Sequence, residues 1–272
     1  MIAMFAAQVG YQLRMLARNP RGLMVSLFAP GLILVVALSR GAQHSASPEQ
    51  KAAVIAGLSA FGLIATCYLT HAIGLVAARE TGVLRRWRAS PLPRWGYFAG
   101  RITATVLASL ASGAVILAVG AGLGGLRVSA ADGPALLLVF GLGGLAWAAL
   151  GTAATALIAS TESASPVLIF SYLPVILASG AFGPTGGEAA WLATLMSYLP
   201  GQPVIASATR ALEFSGPGLA PVSGRDLAVL AGWAVIGLVA SVRFFRWDPV
   251  RPVHTSRAEV AASARTEVGT AA

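Results

Sequence analysis

The sequence predicts an all-α, polytopic membrane protein, and three observations support that fold class. Charged residues make up only 11% of the 272 positions, less than half of the roughly 25% typical of soluble domains. The apolar set AVILMFWYC makes up 56%, and the mean hydropathy is +0.75. The apolar residues also fall into uncharged stretches of the length that crosses the hydrocarbon core as a helix. This composition excludes a disordered chain, an ordinary nucleic-acid-binding domain and most soluble enzymes.

Uncharged stretches locate the membrane spans. Six of them are predicted to cross the membrane, at about 22–39, 52–78, 102–126, 133–161, 163–187 and 227–245. A seventh stretch, 189–209, contains the run from Tyr198 to Pro203, in which two prolines and a glycine interrupt helical hydrogen bonding. We therefore expect that stretch to form a re-entrant segment or a hairpin of two half-helices on the external side.

The distribution of basic residues supports six spans rather than seven. With both termini in the cytoplasm, 14 of the 19 basic residues lie inside and 5 lie outside, as the positive-inside rule requires. A seventh span would move the arginines that follow residue 242 to the outside. The sequence therefore predicts a multi-pass protein of the plasma (inner) membrane with cytoplasmic N- and C-termini.

Both ends of the chain have a distinct character. Near the N-terminus, Phe5, Val9, Leu13 and Leu16 lie close to one helical face, which predicts an amphipathic helix on the membrane surface. A break at Asn19-Pro20 separates that helix from the first span. Residues 1–247 are predicted to form one transmembrane domain. Residues 248–272 are rich in Ala, Ser, Thr, Arg and Glu without periodicity, which predicts a disordered cytoplasmic tail.

The sequence contains no recognisable catalytic, cofactor-binding or metal site. A phosphate-binding P-loop needs a lysine after glycine, whereas the only lysine, Lys51, follows Gln50. The three histidines are far apart, without metal-ligand spacing. We therefore expect a protein that is not an enzyme. His71 lies about two turns inside the second span, which makes it a possible intramembrane polar site. The alternative is a neutral, buried histidine with a hydrogen-bond partner.

The most informative segment joins the second span to the third. Glu80 or Thr81 can start a short helix there, and Ser90-Pro91 can end it. Its apolar residues share one face, namely Val83, Leu84 and Trp87, with Arg85, Arg86 and Arg88 around them. Such a helix can insert into a groove on a cytoplasmic protein. The alternative is a positively charged loop that only sets topology.

This segment resembles a known family. The string RETGVLRRWRASPL, from Arg79 to Leu92, is followed by the pair Gly100-Arg101. It resembles the type-2 ATP-binding-cassette (ABC) exporter permeases, the six-span membrane subunits of drug, lipid and polysaccharide exporters. Their pattern E-x-G-[TV]-L-x-x-L-x-x-[ST]-P-L is matched at Glu80, Gly82, Val83, Leu84, Ser90, Pro91 and Leu92. The chain departs from it at Trp87, where leucine is usual. A second similarity, to S-G-x-x-x-P, runs from Ser179 to Pro184.

The resemblance implies a permease that works with a separate, cytoplasmic ABC ATPase and with a second permease copy or homologue in the lipid bilayer. ATP would be bound by the ATPase, so this chain needs no cofactor of its own. The residues implied in ATPase coupling are Glu80, Gly82, Val83, Leu84, Trp87, Ser90 and Pro91. The cargo would be amphipathic or hydrophobic, drug- or antibiotic-like or lipid-like, and would move outward. Nucleic acid is not an expected partner.

Two other functions remain open from the residues alone. A proton-coupled secondary transporter would need carboxylates within the membrane, and the predicted spans contain none. A non-transporting membrane scaffold or sensor would use the arginine-rich loop only as a topology signal.

Overall fold

A computed structural model describes residues 2–39, 47–88, 94–125, 128–129, 131–179, 190–214, 216, 219–245 and 247. Every regular element within these ranges is helical, which confirms the predicted fold class. The α-helices in chain order are α1 (Ile2–Ala17), α2 (Pro20–Leu23), α3 (Ala29–Ser39), α4 (Pro48–Ile64), α5 (His71–Glu80), α6 (Val83–Arg88), α7 (Arg94–Gly124), α8 (Gly133–Ala154), α9 (Thr161–Ala178), α10 (Ala190–Ser197), α11 (Gly201–Glu213) and α12 (Gly224–Phe244). The predicted tail, 248–272, lies outside the described residues.

Five helical segments of the described chain are long and apolar enough to cross a membrane. They are Pro48–Glu80, Gly96–Gly124, Gly133–Leu157, Thr161–Ala178 and Gly224–Phe244. Each overlaps one of the predicted spans. The first of these segments contains α4 and α5, which a π-helical turn, Ala65–Thr70, joins.

The predicted span 22–39 is helical but not regular. A second π-helical turn, Met24–Phe28, joins α2 to α3, so that the helix runs without a gap from Pro20 to Ser39. At about 1.5 Å per residue this run reaches roughly 30 Å, the thickness of the hydrocarbon core. Its second part, Ala29–Leu38, is an uninterrupted apolar helix, but this helix alone is too short to be a candidate span.

Two serines set where helices begin. The Ser47 hydroxyl accepts a hydrogen bond from the backbone N–H of Gln50, and the Gln50 side chain accepts one from the backbone N–H of Ser47. Ser160 and Ser163 make the same reciprocal pair at the start of α9. These capping boxes satisfy backbone donors that the first turn of a helix leaves unpaired.

Small residues bring the helices of the bundle close together. The combined helix α4–α5 is the most deeply buried of the candidate spans. A Cβ atom placed on Gly120 would lie 2.8 Å from the Ile55 side chain, and one on Gly143 would lie 2.6 Å from Val204. Close helix packing through glycine is typical of membrane proteins.

The N-terminal helix α1 packs on the bundle through its polar side. Gln8 and Gln12 are buried, whereas Met4, Tyr11 and Met15 are about half exposed. Gly100 of α7 provides the space for Gln8, whose Cγ lies 2.7 Å from where a Cβ would stand. The predicted apolar face of Phe5, Val9, Leu13 and Leu16 is half-buried, so the apolar side chains that α1 exposes are those of Met4, Tyr11 and Met15.

The predicted break in 189–209 is present. Residues 198–200 separate α10 from α11, and neither helix is among the candidate spans. Two tryptophans bind the carbonyl groups at the break: Trp233 Nε1 donates to the Tyr198 carbonyl at 2.7 Å and Trp147 Nε1 to the Pro200 carbonyl at 3.3 Å. These bonds satisfy backbone groups that an interrupted helix leaves open.

Candidate functional site

The segment singled out by the sequence forms the connection from α5 through α6 to α7. Thr81 and Gly82 make the two-residue turn between α5 and α6. Gly82 has a φ of +70°, a left-handed conformation that side chains with a Cβ rarely adopt. Its backbone N–H donates to the Arg79 carbonyl at 3.2 Å. Glycine at this position therefore fixes the sharp angle at which α6 leaves α5.

Glu80 binds the first residue of α9. Its carboxylate accepts a hydrogen bond from the backbone N–H of Thr161 at 2.9 Å and a second one from the Thr161 hydroxyl. Glu80 is half-buried. Its carboxylate is thus engaged within the permease domain, where it connects the end of α5 to the start of α9.

The neighbouring residue, Arg79, binds the turn that directly follows α8. Its side chain is 1% exposed. The guanidinium donates to the carbonyl of Thr155 at 3.1 Å and to that of Ile158. Carbonyls at the end of a helix lack intrahelical partners and attract cations. Arg79 and Glu80 therefore hold the α8–α9 connection from both sides.

Sequence reasoning missed the role of Arg79. The positive-inside rule counts it as a loop charge, because it stands at the cytoplasmic end of a predicted span. Arg79 directly precedes Glu80 in the sequence, but its burial depends on the contact with the residues that follow α8. Those residues are distant in sequence, so no local pattern predicts the contact.

The apolar face of α6 is turned toward the permease domain itself. Leu84 is fully buried in a cluster with Leu75 and Tyr97. The Trp87 ring lies 5.6 Å from the Tyr97 ring and 6.4 Å from the Tyr11 ring, between centroids. The sequence predicts that this face enters a groove on another protein, whereas in this structure Leu84 and Trp87 pack against residues of the same chain. Because α5, α7 and α1 offer an apolar surface at the membrane, the face is covered within the chain.

The outward side of α6 is basic. Arg85 and Arg86 are both exposed, and Val83 is half-buried at the edge of the inward face. The predicted site residues Ser90 and Pro91 lie outside the described residues. The structure therefore brings together Glu80, Gly82, Leu84 and Trp87 around the start of α6, with arginines on the opposite side.

The second resembling segment is described only at its first residue. The Ser179 hydroxyl donates to the Ile176 carbonyl at 2.8 Å and closes the last turn of α9. Residues 180–184 lie outside the described residues.

His71 lies in a buried polar cluster between three helices. Its Nδ1 atom is 3.1 Å from the Thr105 hydroxyl on α7, and its Nε2 atom is 2.9 Å from the Thr152 hydroxyl on α8. A neutral imidazole donates with one nitrogen and accepts with the other, so hydroxyls satisfy both. This geometry favours the interpretation of His71 as a hydrogen-bonded core residue. Among the described residues no group of three or more His, Cys, Asp or Glu could hold a metal ion.

Comparison with known families gives one result for this chain. Residues 23–243 match the model of a family described as ABC-2 family transporter protein. The matched range runs from α2 to α12 and includes α5, α6 and the α8–α9 connection. A search of the curated proteins found no match.

Proposed function

Because the chain belongs to the ABC-2 transporter family, we propose that it is the permease subunit of an ATP-driven exporter. Family membership and five long apolar helices make it a multi-pass membrane component of an ABC transporter. The proposal adds the direction, the cargo and the partners. A separate cytoplasmic ATPase binds the ATP, a second permease copy or homologue completes the pore, and the complex acts at the plasma (inner) membrane.

The α6 helix is the proposed docking point of the ATPase. It stands between two candidate spans, at the end that the charge distribution assigns to the cytoplasm. Its exposed side carries Arg85 and Arg86, so the partner surface that fits it is acidic or rich in carbonyl oxygens. Leu84 and Trp87 do not touch the partner in this proposal. They fix α6 to the permease domain so that α6 moves as part of it.

Arg79 and Glu80 are the proposed route by which movement of α6 reaches the spans. Gly82 joins α6 to α5 through a turn of two residues. Arg79 and Glu80, at the end of α5, bind α8 and α9 by charge-assisted hydrogen bonds, which are stronger than neutral ones. A displacement of α6 would therefore shift the ends of α5, α8 and α9 together. Glu80 acts here as a positioning residue and not as a contact for the ATPase.

A groove of about 400 Å³ supports an apolar or amphipathic cargo. Its walls include the aromatic residues Tyr68, Trp147 and Trp233. The hydroxyl groups of Tyr68 and Ser171, which both line the groove, form a hydrogen bond of 2.8 Å. Among the described residues that line this groove, none is charged. Drug-, antibiotic- or lipid-like molecules match such a surface, because apolar walls with a few polar groups are typical of small-molecule sites.

Co-purification of this chain from its native membrane with a P-loop ATPase subunit tests the proposal. Arg86→Glu reverses a charge on the exposed side of α6 and should weaken the complex and its ATP turnover at least tenfold, about 1.4 kcal/mol. Arg243→Glu is the matched control, because Arg243 is an exposed arginine at the end of α12, on the same predicted side. The permease alone should hydrolyse no ATP. Equal losses in both variants, or an unaffected Arg86→Glu complex, would contradict docking at α6.

A further inference from the structure

A cavity of about 300 Å³ lies where α1, α5, α6 and α7 meet. Its walls are largely apolar and aromatic, and they include Tyr11, Met15 and Trp87. None of the described residues in its wall is acidic, and one of them, Arg101 of α7, carries a full positive charge.

The Arg101 guanidinium has unused hydrogen-bonding capacity. Nη1 donates to the Tyr97 hydroxyl at 3.2 Å, and Nη2 makes a long contact of 3.5 Å with the His71 carbonyl. Nε is buried and has no acceptor. Within the described ranges no carboxylate forms an ion pair with Arg101. Since a guanidinium has five N–H donors, the described residues give this cation no counter-charge and leave part of its donor capacity unused.

Gly74 of α5 leaves the space in which the guanidinium sits. A Cβ atom on Gly74 would lie 2.6 Å from Arg101 Nη2. Any larger residue would therefore push the end of the arginine side chain out of its place. The glycine on one helix and the arginine on the next together form the charged part of the cavity.

The position of Arg101 along its helix points to the ligand. Arg101 is the sixth residue of the candidate span Gly96–Gly124, and the end of a span is expected where lipid headgroups meet the hydrocarbon core. The adjacent helix α1 exposes apolar side chains, so lipid can reach the cavity along it. Arg14 of α1 and Arg18, which follows α1, are exposed and adjacent in sequence to the wall residues Met15 and Asn19, and they raise the local concentration of anions.

We propose that this cavity binds one anionic phospholipid, with its phosphate on Arg101 and its glycerol and upper acyl chains against the apolar wall. Basic pockets between membrane helices on the cytoplasmic side are known to take anionic headgroups. Arginine binds phosphate with two parallel hydrogen bonds. The bound lipid supplies a counter-charge and acceptors for the unused N–H donors of Arg101, and it joins α1 and α6 to the bundle. Binding requires neither the ATPase nor the cargo, so it is independent of the proposed export function.

Native mass spectrometry of the purified chain tests this site, with phosphatidylglycerol and phosphatidylcholine as probes. We expect one phosphatidylglycerol molecule to bind at least tenfold more tightly than phosphatidylcholine. Arg101→Gln should abolish that preference, whereas Arg243→Gln, which removes an exposed arginine from α12, should keep it. Absence of a preference in the wild-type chain, or an unchanged preference in Arg101→Gln, would overturn the proposal.

Two further variants separate loss of the site from loss of the fold. Arg101→Lys keeps the charge and should keep most of the preference. Gly74→Ala displaces only the end of a flexible side chain and should lower the preference without lowering the unfolding temperature. A Gly74→Ala protein with undiminished preference would contradict the site even if Arg101→Gln does not fold.

Inorganic phosphate should not displace phosphatidylglycerol at equal concentration. If it does, the site binds free phosphate and the lipid assignment is wrong.

Discussion

Arg79 and Glu80 are adjacent in the sequence, yet they bind different helices. Successive residues of a helix point about 100° apart, so that one side chain reaches the end of α8 and the other the start of α9. Both targets are helix termini whose backbone groups need partners: carbonyls for the cation and an N–H for the carboxylate. The two charged residues at the end of α5 thus fix the connection between α8 and α9.

Trp87 holds α6 against the permease domain through its ring contacts with Tyr97 and Tyr11. Trp87→Asp removes these contacts and places a charge in the cluster, at a cost of about 2 kcal/mol. A cysteine at position 84, where Leu84 is fully buried, should then react with maleimide roughly tenfold to thirtyfold faster. Trp87→Phe should leave the labelling rate close to that of the wild-type background. Equal labelling rates in the Asp and Phe variants would show that α6 is not held by Trp87.

Glu213 at the end of α11 gives a pH-dependent prediction. Burial, and secondarily the nearby Glu49, raise the pKa of the Glu213 carboxyl, whereas Arg210 lowers it. A raised pKa means that the folded state disfavours the ionised form, so stability falls as pH rises from the ordinary pKa through the folded-state pKa. Glu213→Gln should therefore raise the unfolding temperature at pH 7 and have little effect at pH 4.

Thermal unfolding in detergent at the two pH values measures this effect. Glu49→Gln is the control, because it removes only the secondary cause and should give a smaller gain at pH 7. If Glu213→Gln lowers the unfolding temperature at pH 7 relative to wild type, the predicted sign of the pH effect is wrong.

At the scale of elements, α12 packs on α8 at a distance that only glycine allows. A Cβ on Gly237 would lie 2.8 Å from the backbone nitrogen of Leu150 and 2.9 Å from the carbonyl carbon of Ala149. Backbone atoms cannot move aside as a side chain can. Nearby, the Ser241 hydroxyl contacts the Ala149 carbonyl at 3.0 Å, which fixes the register of the two helices.

Two glycines of α12 therefore provide a matched pair. Gly237→Ala should lower the free energy of unfolding by about 2 kcal/mol, because overpacking forces the helices apart. Gly232 is exposed, with no atom within 4 Å of its Cβ position, so Gly232→Ala should raise it by up to about 1 kcal/mol. Unfolding in a detergent or denaturant titration gives both values. Changes of the same sign and size would contradict the close approach of α12 to α8.

The break between α10 and α11 shows what a local pattern can and cannot predict. Two prolines and a glycine in six residues cannot continue a helix, so the interruption was predictable from the sequence. The tryptophans that bind the carbonyls at the break come from α8 and α12. Those partners depend on tertiary packing, and no spacing in the sequence indicates them.

At the scale of the molecule, five of the six predicted spans overlap a long apolar helix, because each follows from a local excess of apolar residues. The irregular first span was not predictable, because a π-helical turn depends on how Met24–Phe28 packs. Contacts of the candidate site were also beyond the sequence. The apolar face of α6 could pack into a groove on a partner or against aromatic residues of its own chain. The spacing of apolar residues in the sequence is the same in both cases. The same holds for α1, whose polar side faces the bundle.

The central claim is that an ATPase docks on the exposed side of α6. Photo-crosslinking in native membranes tests it most directly, with benzoylphenylalanine at position 86 and, as control, at position 219, an exposed leucine on the predicted external side. The claim predicts an adduct at position 86 with a polypeptide that contains a P-loop, identified by mass spectrometry, and no such adduct at position 219. Absence of a P-loop protein from the adducts at position 86, or equal yields at the two positions, would contradict it.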